Sequence, residues 1–284
     1  MGTMPTRESF QFETRGRRLL DGLLDLPDLP GERPAVVVCH GFKGFMEWGF
    51  FPYVAERLCE QGMTVIRFNL SGSGMRPGED WVADPEAFRT ATYTKDLAEL
   101  CEILSAVGDR IAPGRVDPRA LGLLGHSRGG GTSILASSVS PGRERLRALV
   151  TWSAISTIDR LTDKEIDAWR EKGGFPVVNT RTGQKLELGI EVLEDALAHR
   201  RELDVVRAAG ERAMPWLIVH GDADETVPIV EGERLAGAAR SPAEFLEIPD
   251  TGHTFGATQP FSGTTHELKE ALDATTAWFQ KFLV

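Results

Sequence analysis

The sequence predicts an α/β protein, with a mostly parallel sheet covered by helices on both faces. Three observations carry this reading. Ala35-Val36-Val37-Val38-Cys39 is a continuous apolar, β-branched run, the mark of a strand buried on both sides. Strand-like and helix-like patterns then alternate along most of the chain, which implies parallel strands joined by crossovers. Finally, the apolar run Leu121–Leu124 enters Gly125-His126-Ser127-Arg128-Gly129, and small residues follow. That layout reads as strand, tight bend, helix.

Taken in order, Ser9 to Glu13 alternates apolar and polar residues as a half-buried strand does, and Arg18 to Leu26 returns after a turn at Gly16-Arg17. The two form an expected edge hairpin. Pro27 to Pro34 is a Pro/Gly-rich connector. After the Ala35–Cys39 strand, Met46 to Gln61 has helical spacing, with Gly62 as a stop. Met63 to Asn69 is the next strand, and Ser71-Gly72-Ser73-Gly74 a glycine-rich loop. Thr94 to Val107 reads as an amphipathic helix. Further strands are expected at Arg119–His126, Leu146–Trp152, Trp216–His220 and Glu244–Ile248. The chain closes with a helix from about His266 to Phe282, capped by Thr264 or Thr265.

One region breaks the alternation. Residues 156–213 separate two core strands and are too many for a simple crossover. They carry a helix pattern at Thr162–Lys172, a hairpin signal from Val177 to Leu188, and a charged helix from about Glu191. The division expected is a core of 1–155 and 214–284, with 156–213 inserted as a small lid over the site.

A length of 284 residues suits one such domain. The formal net charge of −10 argues against nucleic acid and anionic membrane as partners. No stretch approaches transmembrane length. Met1 to Arg18 holds no apolar segment of signal-peptide type, and the three cysteines, Cys39, Cys59 and Cys101, have no metal-ligand spacing. A cytoplasmic location with reduced thiols is expected, with no metal.

The chemistry follows from Ser127. A bend of this kind forces the serine into a strained backbone conformation at a helix N-terminus, where N–H groups favour developing negative charge. A serine hydroxyl needs a base and a group to orient that base, and the order Ser…Asp…His fits the bend. After the Trp216–His220 strand come Asp222, Asp224 and Glu225. Asp224 stands at the acid position of Gly-x-x-Asp-x-x-Val-Pro; Asp222 suits a turn and Glu225 solvent. Of six histidines, His253 lies between the last strand and last helix, where a loop carries the imidazole over the serine. His126 reads as packed on the opposite side of the bend. His40 and His220 end core strands, His199 lies in the lid and His266 begins the last helix. Oxyanion donors are expected from the backbone N–H groups of Arg128 and Phe42. Lys43 and Arg128 are candidates to meet an anionic group, though two basic residues decide little. Tyr93, Trp48, Trp81, Trp152 and Trp169 are aromatics that line either a pocket or the core.

On His40-Gly41-Phe42, Gly125-His126-Ser127-Arg128-Gly129, Gly221 to Pro228 and Gly252-His253, the chain resembles the α/β-hydrolase family of serine esterases. The resemblance implies the α/β-hydrolase fold with an eight-stranded, mostly parallel sheet. It also implies a Ser-Asp-His triad, no cofactor, and hydrolysis of small to medium carboxylic esters, aromatic hydroxycinnamate esters among them, through an acyl-enzyme, with amides or thioesters as the alternative. The lid looks like that of cinnamoyl/feruloyl-type esterases. The dienelactone-hydrolase and prolyl-oligopeptidase branches are similar in outline, although Ser127 stands where dienelactone hydrolases carry cysteine. A small-molecule ester is the partner implied, with a homodimer left open.

Overall fold

The computed structural model describes residues 5–240 and 242–284. Met1 to Met4, the start of the stretch read for a leader, lie outside the described residues. Ten strands and nine helices are seen among the described residues. In chain order they are β1 (Thr6–Glu13), β2 (Leu19–Leu26), β3 (Arg33–Cys39), α1 (Phe51–Glu60), β4 (Thr64–Phe68), α2 (Pro85–Arg89), α3 (Tyr93–Ala106), β5 (Val116–His126), α4 (Arg128–Val139) and β6 (Leu146–Trp152). There follow α5 (Asp163–Lys172), β7 (Gly174–Val178), β8 (Lys185–Gly189), α6 (Ile190–Ala198), α7 (Val205–Glu211), β9 (Trp216–Gly221), α8 (Ile229–Ala238), β10 (Ala243–Ile248) and α9 (His266–Leu283).

Eight strands form one sheet in the order β1-β2-β4-β3-β5-β6-β9-β10. From β4 to β10 the pairings are parallel, and the β1–β2 hairpin joins antiparallel at one edge. This is the α/β-hydrolase fold. Period-two alternation sends Ala35, Val37 and Cys39 of β3 to one face and Val36 and Val38 to the other. The first face packs under α3, α4 and α7, and the second under α1 and α9. With both faces covered, the strands read as unbroken apolar runs.

One boundary moves for an identifiable reason. Helix α1 begins at Phe51, not Met46, because other groups take the backbone of the preceding turn. The Met46 N–H donates to Asn69 Oδ1 at 2.8 Å, the Met46 carbonyl accepts from Arg67 at 2.7 Å, and the Gly49 N–H donates to Gln259 at 2.6 Å. At α9 the cap is Thr265, whose hydroxyl accepts from the Leu268 N–H at 3.0 Å.

The inserted segment has its own apolar cluster. Ile166, Trp169, Val177, Leu186, Leu188, Val192 and Leu193 pack with Val82 and Phe88 of the main chain body. Thr162 begins α5 with a capping box to Glu165. Gln184 brackets the Val82 backbone with two hydrogen bonds of 2.9 Å, and Arg89 pairs with Glu191 at 2.8 Å. By contrast, Val205, Ala208 and Ala209 of α7 belong to the main core. Among the described residues, no helix is long and apolar enough to cross a membrane.

Candidate active site

Ser127 sits between β5 and α4 with φ 58° and ψ −124°, a left-handed conformation that costs a non-glycine residue about 1–3 kcal/mol. Its surroundings hold it there. The Ser127 N–H donates to the Trp152 carbonyl at 2.9 Å, and its own carbonyl accepts from Gly131 at 3.1 Å. The first turn of α4 lies directly on the end of β3: a Cβ on Gly129 would stand 2.3 Å from the His40 carbonyl oxygen. The loop after β3 comes equally close, since a Cβ on Gly41 would stand 2.9 Å from the Ser127 Cβ. Only glycine fits at either position, and Gly41 brings the backbone of residue 42 beside the serine.

Asp224 follows β9 and is 4% exposed, whereas Asp222 and Glu225 are exposed. Its Oδ1 accepts the N–H groups of Thr226 and Val227, both at 2.9 Å. Its Oδ2 accepts from His253 Nδ1 at 2.8 Å. Burial pushes this carboxyl up, but the hydrogen bonds from His253 and Val227 outweigh it and hold Asp224 below the usual carboxylate range. With Nδ1 donating, the His253 Nε2 is left as the acceptor nitrogen.

Ser127 and His253 border one cavity of about 500 Å³. Its walls are mainly apolar. Phe42 and Tyr93 close one side, and Ile166, Trp169, Leu193 and Leu197 of the insert close another. Tyr93 and Trp169 are thus the two pocket aromatics of the five singled out. Trp152 is fully buried in the core, Trp48 packs beside it, and Trp81 is exposed.

Arg128 is not available to an incoming anion. Its guanidinium is buried, paired with Asp96 at 2.7 Å, bonded to the Ala91 carbonyl at 2.8 Å and stacked 3.9 Å from the Tyr93 ring centre. Burial raises the Asp96 carboxyl to about 6 even with Arg128 beside it. The cations Arg160 and Arg200 at the rim are paired with Glu231 and Asp159.

His40, His220 and His126 serve the backbone. His40 Nδ1–H donates to the Gly41 carbonyl at 2.9 Å, while Nε2 accepts from the Leu70 N–H at 3.1 Å. His220 Nε2–H donates to the Val227 carbonyl at 2.8 Å. His126 is packed as expected: it lies against His253 and donates to that residue's carbonyl. Sequence spacing gave no signal of this contact, because it joins β5 to a loop 127 residues away. Among the described residues, no group of three or more His, Cys, Asp or Glu side chains is arranged to hold a metal ion.

A parallel sheet whose fifth strand delivers a strained serine to a cavity shared with an Asp-held histidine defines a class of hydrolases. The chain belongs to the alpha/beta hydrolase family, whose profile matches residues 36–263. A monoacylglycerol lipase of Mycolicibacterium smegmatis is 24% identical over 88% of this chain and 89% of its own length. An uncharacterized peptidase of Bacillus subtilis, YuxL, is 24% identical over 99% of this chain, which spans only 40% of that protein. Among solved structures, Est1E from Butyrivibrio proteoclasticus with ferulic acid bound is 22% identical. It superposes with a TM-score of 0.74 over 96% of this chain and 98% of that one.

Proposed function

We propose that this protein is a serine carboxylesterase acting on small to medium carboxylic esters, hydroxycinnamate esters among them. The observation that carries the reading is the His253–Asp224 hydrogen bond, set beside a cavity that Ser127 also borders. In the proposed reaction, Ser127 Oγ attacks the ester carbonyl and His253 Nε2 takes its proton. His253 then returns that proton to the leaving alkoxide, which departs as the alcohol. Asp224 keeps the imidazole in the tautomer with Nδ1–H and stabilises the imidazolium. The N–H groups of Phe42 and Arg128 receive the oxyanion. A water deprotonated by His253 then attacks the acyl-enzyme, and the acid leaves as Ser127 regains its proton.

The apolar walls supply the binding energy for an acyl group, at about 25 cal/mol per Å² buried. Within the insert 156–213, the part from α5 to α6 acts as the lid that completes those walls. Location in the cytoplasm is part of the same proposal.

The test is a panel of p-nitrophenyl esters, p-nitroanilides and acyl thioesters of equal acyl length, run on the wild-type chain and on S127A. Ester turnover ahead of anilide and thioester, and lost by several powers of ten in S127A, is the expected result. Anilide cleavage exceeding ester cleavage would make the protein a peptidase-like amidase, and S127A turning over at the wild-type rate would end the serine mechanism.

A further inference from the structure

The residue between the serine and the second glycine of the bend is an arginine, and its side chain is buried. A buried guanidinium is costly unless every face of it is met. Here each is. Asp96 of α3, itself 4% exposed, takes Nε at 2.8 Å and Nη2 at 2.7 Å. The Ala91 carbonyl accepts from Nη2 at 2.8 Å. The Tyr93 ring lies 3.9 Å from the guanidinium carbon, and the Phe42 ring 5.7 Å from it. Phe42 packs in turn on Phe88, with ring centres 5.4 Å apart.

One side chain therefore touches both segments that carry the proposed oxyanion donors. Arg128 supplies one donor from its own backbone, and its guanidinium lies against the ring of Phe42, which supplies the other. Those segments are 86 positions apart and have to be held in register.

We propose that Asp96 is a positioning residue: by anchoring the Arg128 guanidinium against Tyr93 and Phe42, it fixes the two backbone N–H groups that receive the oxyanion. This rests on the esterase reading above. The oxyanion exists only after attack, so the misplacement caused by losing Asp96 weakens transition-state stabilisation and spares substrate binding. Deleting an oxyanion donor outright costs about 10²–10³ in kcat; loosening a pair of them is expected to cost about 10- to 100-fold.

The experiment compares wild type, D96N, R128Q and the double variant D96N/R128Q on one p-nitrophenyl ester, with near-ultraviolet circular dichroism to establish folding. D96N is expected to lose about 10- to 100-fold in kcat with KM within about threefold of wild type. The double variant, which strands no buried charge, is expected to match or exceed D96N. Unchanged kcat in folded D96N, a loss confined to KM, or a double variant whose loss is the product of the two single losses would overturn the inference. Should D96N not fold, the comparison is R128Q against D96N/R128Q: a kcat change under about threefold supports action through Arg128, and a larger one refutes it. A wild-type chain inert towards every ester defeats the esterase reading itself; an active wild type with an unaffected D96N defeats only this inference.

Discussion

His126 Nε2–H donates to the backbone carbonyl of His253 at 3.0 Å, and the two imidazole centres lie 4.7 Å apart. The residue before the serine thus seats the loop that carries the proposed base. Phe50 packs edge-on against the His126 ring at 5.3 Å, so the donor cannot easily turn away. Burial and the nearby His253 push the His126 imidazole down to about 3, which keeps it neutral with Nε2 protonated at any ordinary working pH. Replacing His126 with phenylalanine keeps the ring packing and strands the carbonyl, at a cost of about 1–3 kcal/mol. H126F is expected to lose about tenfold or more in kcat/KM for p-nitrophenyl butyrate and to melt at a lower temperature. Both are read from steady-state rates and a thermal scan.

The three carboxylates after β9 are separable by substitution. Asp224 is buried and bonded to His253, while Asp222 and Glu225 are exposed. D224N leaves the shape and spoils the tautomer, and a loss of about 10⁴ in kcat is expected. D222N and E225Q are expected to stay within about twofold of wild type. Steady-state kinetics of the three variants at pH 8 decide the assignment.

The buried strands, the bend at Ser127 and the loop positions of Asp224 and His253 were legible because each follows from local pattern: apolar runs, glycine spacing and motif position. Helices α2, α7 and α8 were not. Helix α2 has only five residues, though Asp84 as cap followed by Pro85 was a readable start signal. Helix α8 carried the Pro228-Ile229 start as well. The Asp96–Arg128 pair and the His126–His253 bond were invisible, since both join residues distant in sequence whose meeting depends on the finished fold. Arg128, read as open to an anion, is closed off for the same reason.

The insert predicts an acyl-length effect. Ala196 on α6 borders the cavity beside Leu193 and Leu197. Filling that space with A196W is expected to lower kcat/KM for p-nitrophenyl octanoate by about tenfold or more, because one lost methylene contact is worth about 1–3 kcal/mol. Acetate turnover is expected to change by less than about threefold. If α6 is a peripheral decoration, both esters will respond alike.

Stability is expected to fall in mild acid. Burial pushes His40 down to about 4 and His126 to about 3, and it lowers His220 as well. These groups are neutral in the fold and take up a proton on unfolding once pH drops below about 6.5. Their contribution is present above that value and is lost as pH falls through the folded values. Asp96 runs the other way: raised to about 6, it binds its proton more tightly in the fold, and its stabilising effect is lost as pH rises through that value. It offsets one of the three histidines. Each uncompensated proton is worth about 1.4 kcal/mol per pH unit. Urea unfolding at pH 7, 6, 5 and 4.5 is expected to show a midpoint that declines steadily below pH 6.5.

The central claim is that Asp224 and His253 make the Ser127 hydroxyl nucleophilic. The most direct measurement is reaction with a fluorophosphonate, followed by intact-mass and peptide mass spectrometry. The account predicts one adduct per chain on Ser127, absent in S127A and formed at least about 10³-fold more slowly in H253A. An unlabelled wild-type chain, an adduct on another residue, or equal labelling rates with and without His253 would contradict it.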